Sequence, residues 1–188
     1  MSYDKTLQKH IRCKKGDVAK YVLIPGDPGR AERIAAKFDK AEKIAVNREY
    51  TVFTGSKDGV ELSVCSTGIG GPSAAIAMEE LAKLGADTFI RVGSAGGRKE
   101  EMPVGSVAVI NSAYRGEGTA LEYLAANYPA VADDKITDAL KKAAADLGEE
   151  VYIGGSYTRD AYYMQNEDLN QELLNTQMIV SEMECATL

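Results

Sequence analysis

The chain has 188 residues, 45% of them hydrophobic and 27% charged, a balance that fills a core and excludes a disordered tract. Its 22 basic and 28 acidic residues give a net charge of -6, which argues against a nucleic-acid partner but leaves room for local arginines to hold a small anion. No apolar run approaches the roughly 18 residues that a membrane span needs, and the first 15 residues lack a signal-peptide core, so a cytoplasmic protein is expected.

In chain order, residues 21–24 form a short apolar run stopped by Pro-Gly-Asp-Pro, the pattern of a buried strand ending in a turn. Residues 31–38 carry helical periodicity. Residues 50–55 and 60–65 flank Asp58-Gly59, a strong hairpin signal. Residues 72–84 predict a helix with Pro72 in its first turn and Gly85 at its end. Residues 88–92 read as a strand broken by a glycine-rich turn at 93–97, and 106–110 as another. A helix over 136–147, a strand from 150, a helix over 169–175 and a strand over 178–180 complete the pattern. Strands alternating with helices predict a single α/β domain over residues 1–188, in which ligands collect at the carboxyl ends of the strands. The three cysteines, Cys13, Cys65 and Cys185, are widely scattered and fit reduced thiols.

The strand-end turns carry the chemistry. Gly26 allows close backbone approach to a ligand, and Arg30 offers a planar fork for two phosphate oxygens, although such a string also serves as an ordinary strand-to-helix turn. The turn over 66–73 presents backbone N–H groups and a helix start to an anion. It also resembles a dinucleotide fingerprint, with Asp87 as the ribose-binding acid, but Ser73 stands in the third glycine's place. Arg91 ends an apolar strand, so it forms either an internal salt bridge or, with Ser94, an anion site. Glu182 and Glu184 straddle Met183, which suits either a vicinal diol or an acidic first helical turn. His10 and Arg48, taken alone, read as surface residues. There is no cluster with metal-ligand spacing and no GxSxG nucleophile elbow.

Taken in order, KHIRCKKGDVAKYVLIPGDPGRAERIA, NREYTVFTG, CSTGIGGPSAAIAMEELAKLG, FIRVGSAGG, NYPAVAD and VSEMECATL resemble the nucleoside phosphorylase family, which contains uridine phosphorylases and hexameric purine nucleoside phosphorylases. The resemblance implies a three-layer α/β/α sandwich around a mixed, mostly buried sheet. It implies phosphate-dependent cleavage of a nucleoside to free base and ribose 1-phosphate, as in nucleoside catabolism and salvage. Inorganic phosphate is then a co-substrate, and no metal or organic cofactor is expected. It assigns phosphate to Gly26, Arg30, Arg48 and the stretch Arg91, Val92, Gly93 and Ser94. It assigns ribose to His10, Glu182, Met183 and Glu184, and the base to Tyr162 with Gln165 or Asn166. Arg91 and Glu184 are the expected catalytic pair. His10 and Arg48 are expected to reach a neighbouring subunit's site, in a homodimer or hexamer.

Two departures bear on the reading. Uridine phosphorylases use a Gln and an Arg after the aromatic residue, and here Asp168 stands in the arginine's place. The turn over 66–73 and NYPAVAD resemble the uridine branch and the KHI opening the purine branch, so uridine is slightly preferred. The chain also ends at Leu188, where the family continues with further elements, so a fragment or a shortened relative is expected. A nucleoside- or phosphate-binding relative without turnover is the alternative.

Overall fold

The structure, a computed structural model, describes residues 6–164 and 166–188. The chain forms two compact units, Met1–Gly93 and Ser94–Leu188, each with its own five-stranded mixed sheet where the sequence pattern suggests one.

The first unit contains β1 (Tyr21–Ile24), α1 (Pro28–Ala35), β2 (Lys40–Asn47), β3 (Tyr50–Lys57), β4 (Val60–Cys65), α2 (Gly71–Lys83) and β5 (Thr88–Arg91). Its sheet order is β2-β3-β4-β1-β5, with β1 parallel to both neighbours and β2-β3-β4 antiparallel. Strand alternation places the core. Val22, Ile24, Val52 and Cys65 pack with Ala77 and Leu81 of α2. Val64 and Phe53 face the other way, onto Ala31 and Ala35 of α1. Consecutive strand residues point to opposite faces, so the two helices sandwich this sheet in three layers. That double burial explains why the strands read as apolar runs.

Local chemistry sets the element ends. Asp27 caps α1 ahead of Pro28, so the helix starts three residues before the periodicity alone suggests. Lys57 pairs with Val60 across Asp58 and Gly59, whose φ values of 51° and 80° are those of a tight primed hairpin turn. Strand β2 escapes the sequence reading because it is a mostly exposed edge strand. Cys13 and Cys65 are buried and free, and burial, reinforced by the charges of Asp17 and Glu80, pushes the Cys13 thiol up to about 12.

The second unit contains β6 (Gly96–Gly97), β7 (Val107–Gly116), α3 (Thr119–Tyr123), β8 (Ala130–Val131), α4 (Asp134–Asp146), β9 (Val151–Arg159), α5 (Glu167–Leu174) and β10 (Met178–Glu182). Its sheet order is β6-β10-β9-β7-β8, with β9 central and parallel to both neighbours. Helix α4 packs on β7 and α5 on β10. Arg115 gathers the carbonyls of Ala120, Leu124, Ala125 and Tyr128, which pins α3 and the chain leading into β8. Among the described residues no helix is long and apolar enough to cross a membrane.

Candidate functional site

In the first unit β1, β4 and β5 run parallel, so their carboxyl ends open on one rim. The loops there are tied by backbone hydrogen bonds from Thr67 N to Pro25 O at 2.9 Å and from Gly68 N to Gly26 O at 2.8 Å. Arg91 closes β5 and donates through Nη1 to Ile24 O at 3.3 Å and Thr67 Oγ1 at 3.1 Å. Arg30, in the first turn of α1, donates through Nη1 to Val92 O at 3.3 Å. Gly26 lies beneath them: a Cβ there would stand 2.9 Å from Gly68 O and 3.4 Å from Arg91 Nη2. Two guanidinium groups from separate elements therefore meet around one backbone turn, and two partly buried cations in one place favour an anion between them.

Several amides of this rim are already used. Asp27 already accepts from the N–H groups of Gly29 and Arg30, which occupies the start of α1. The amides of Ser66, Thr67 and Gly68 are likewise bonded to Thr51 O, Pro25 O and Gly26 O. These three amides therefore join the turn to its neighbouring strands. Asp87 lies before β5, away from the carboxyl ends, and pairs with Lys20 at 2.9 Å, which removes the dinucleotide reading.

A second group lies further along the rim. The β2–β3 turn holds Arg48, exposed and with φ 54°, and Ser66 Oγ donates to Glu49 O beside it at 2.6 Å. Asn47 Nδ2 donates to His10 O at 2.7 Å, so the turn carries His10 at its side. His10 Nδ1 meets Glu80 Oε1 at 2.7 Å, and the backbone N–H groups of His10 and Ile11 also donate to that carboxylate. Burial pushes the Glu80 pKa up, but the hydrogen bonds from Ile11 and His10 together outweigh it, and the net shift is downward.

In the second unit β10 ends at Glu182. Its carboxylate accepts from Ser156 Oγ at 2.6 Å, from Thr158 Oγ1, and from the N–H groups of Glu184 at 2.6 Å and Cys185 at 2.7 Å. Four donors on one carboxylate fold the chain into the turn that carries Met183 and Glu184, whose residue is only 4% exposed. Glu182 is thus a strand end whose carboxylate also caps the turn that follows, in which Thr187 N and Leu188 N donate to Glu184 O at 2.9 and 3.3 Å. Tyr162 is 63% exposed and packs edge-on against Tyr163 at 5.1 Å. Asn166 caps α5, its Oδ1 accepting from Leu169 N at 3.0 Å, and Gln165 lies outside the described residues.

Residues 20–188 match the model of the Phosphorylase superfamily. The chain belongs to that family. It is 46% identical over 195 aligned residues to a uridine phosphorylase of Thermococcus kodakarensis, spanning 97% of this chain and 70% of that protein. It is 42% identical to a guanosine phosphorylase of Halorubrum lacusprofundi, over 96% of this chain and 75% of that one. The crystal structure of a uridine phosphorylase from Vibrio fischeri superposes with a TM-score of 0.94 at 36% identity, covering 98% of this chain and 77% of that chain.

Within this phosphorylase-superfamily chain, the structure gathers Gly26, Arg30, Arg91, Val92 and Gly93 on the first unit's rim, with Ser94 the next residue in sequence. It sets His10 beside the turn that carries Arg48. In the second unit it puts Glu182, Met183 and Glu184 in one turn, and Tyr162 and Asn166 on the chain between β9 and α5. Sequence reasoning misses Glu80. A signal for it exists: Glu80 continues the buried stripe of Ala77, Leu81 and Leu84, and a carboxylate there needs partners.

Proposed function

We propose that this chain is a pentosyltransferase that cleaves a nucleoside with inorganic phosphate to give free base and ribose 1-phosphate. The observation that carries this is the meeting of Arg30 and Arg91 around Gly26 at the carboxyl rim of a parallel strand trio. These guanidinium groups hold the phosphate and, with Val92, Gly93 and Ser94, fix its attacking oxygen. Glu184 holds the ribose hydroxyls, on a turn set by Glu182 and flanked by Met183. A phosphate oxygen then bonds to the anomeric carbon as the bond to the base nitrogen breaks. The bonding pair leaves with the base, which takes up a proton. Positive charge grows on the sugar in the transition state and is stabilised by the phosphate beside it. Orientation and electrostatics supply the rate, and Arg91 and Glu184 contribute most. Phosphate is itself the nucleophile and nothing is oxidised, so the reading calls for no metal or organic cofactor.

Uridine is the preferred substrate in this reading, supported by the resemblance of residues 66–73 and NYPAVAD to the uridine branch and by the Thermococcus relative's name. A purine nucleoside is the second reading, supported by the KHI opening and the Halorubrum guanosine phosphorylase. Tyr162 packs on the base, with Gln165 or Asn166 reading its edge. The working unit is at least a homodimer in which His10 and Arg48 serve the neighbouring copy's site, and residues 1–188 act as one cytoplasmic catalytic domain. Incubation with uridine or inosine, with and without phosphate, tests the reading: base should be released only with phosphate. Release without phosphate would replace it with hydrolysis, and ligand binding without turnover would make the chain a binding protein.

A further inference from the structure

The contact between Glu80 and His10 is more elaborate than anchoring a chain segment requires. Glu80 stands in α2 and is only 7% exposed. Its carboxylate receives the His10 N–H at 2.9 and 3.1 Å, the Ile11 N–H at 2.9 Å and the ring Nδ1 of His10 at 2.7 Å. Two backbone donors would suffice to hold residues 10–11 against the helix. The third bond acts on the imidazole itself. Because an ionised carboxylate only accepts, Nδ1 must carry the proton. In the neutral imidazole that leaves Nε2 with its lone pair, a hydrogen-bond acceptor. The ring is further bounded by Tyr50, edge-on at 6.5 Å, and the His10 carbonyl is held by Asn47. About a quarter of the His10 side chain remains open to solvent.

We infer that Glu80 is a positioning residue that fixes the tautomer and the orientation of His10, so that Nε2 accepts the proton of a ribose 5′-hydroxyl. This rests on the proposed reading in which His10 contacts that hydroxyl in a second copy's site. Glu80 itself touches no substrate. It confers selectivity for the sugar by holding one ring nitrogen as an acceptor, in the manner of the outer carboxylates that set histidine tautomers at metal sites.

His10 is the only histidine in the chain, so a long-range proton–nitrogen NMR spectrum reads a single imidazole. The wild-type protein at mildly alkaline pH should show the Nδ1–H tautomer. Glu80→Gln, whose amide can donate to Nδ1, should move the proton to Nε2. A wild-type Nε2–H tautomer, or a tautomer unchanged by Glu80→Gln, overturns the inference. The kinetic arm compares the preferred nucleoside with its 5′-deoxy analogue. Glu80→Gln should raise KM for the former by about three- to tenfold, the worth of one hydrogen bond, and leave KM and kcat for the 5′-deoxy analogue unchanged. Equal losses on both substrates mean a structural role only and also overturn it. If Glu80→Gln does not fold, Glu80→Asp, which withdraws the carboxylate by one methylene, takes its place in the kinetic arm, and the wild-type spectrum still decides the first. His10→Ala separates the two failures. If it leaves the preference for the 5′-hydroxyl intact, the reading of His10 falls and Glu80's link to the sugar falls with it, whatever the tautomer.

Discussion

Of the residues assigned to phosphate, Gly26, Arg30 and Arg91 stand around the ends of β1 and β5 within the sheet, whereas those assigned to the base stand on an exposed stretch between β9 and α5. In the first group the loops after β1 and β4 are tied to each other by main-chain hydrogen bonds, and Gly26 has no room even for a methyl group. In the second, Tyr162 is 63% exposed and packs edge-on against another tyrosine, while Asn166 is occupied as a helix cap. The ribose residues resemble the first group: Glu182 is saturated by four donors of its own chain. The contrast follows the chemistry of the ligands. In the proposed reaction phosphate and the pentose stay the same whichever nucleoside is cleaved, so rigid groups can hold them, whereas the base varies and its contacts sit where substitutions disturb the core least.

The comparison breaks first at Arg91. Arg91→Ala should lower kcat/KM for phosphate by about 10²–10³-fold, as when one preorganised charge-stabilising donor is removed, with a much smaller change in melting temperature. Steady-state kinetics against phosphate and a thermal melt check this, and matching losses in both would return Arg91 to a structural role. Gly26→Ala comes next. Its Cβ would press on Gly68 O, so the loops must shift, lowering stability by about 1–3 kcal/mol and raising the KM for phosphate about tenfold. Chemical denaturation and phosphate titration read the two effects.

Glu182→Gln should act on the other substrate. It leaves a part-buried donor set partly mismatched, costs about 1–3 kcal/mol in stability, and raises the KM for nucleoside with that for phosphate unchanged. An equal rise in both would join the two regions functionally. Glu80 adds a pH dependence whose sign is set by its lowered carboxyl pKa. Its contribution is fully present above the ordinary glutamate value of about 4.3 and is lost as pH falls through the lower folded value. Denaturation midpoints between pH 6 and pH 3, read as about those two limits of the acid titration, should fall less steeply in Glu80→Gln than in wild type. The smallest effect belongs to Tyr162→Ala: stability within about 0.5 kcal/mol of wild type, since the ring is exposed, and a severalfold rise in the KM for nucleoside. A large stability loss would show that the exposed stretch is part of the core after all.

Much of the first unit is legible from its residues. The turn after β1, the Asp58-Gly59 hairpin, α2 and β5 are written in glycines, prolines and apolar runs, which act through local backbone sterics. Strand β2 and the short α3 and β8 are not. Edge strands have no buried face to impose a pattern, and α3 depends on Arg115 collecting its carbonyls from another strand. Part of the glycine-rich turn over 66–73 is also decided by its surroundings. Its composition suits an anion, and the neighbouring segments take the amides of Ser66, Thr67 and Gly68.

What the sequence alone determined is the α/β alternation, the ordered motif blocks and the residue types that suit phosphate and ribose, because periodicity and turn chemistry are properties of short stretches. Only the tertiary structure decided which group meets which. Arg30 finds Val92, Glu80 finds His10, and Glu182 finds Ser156 and Thr158, each across a long separation in the chain. Those partners are chosen by the need to satisfy charged groups removed from water, and that requirement exists only once the strands and helices have packed.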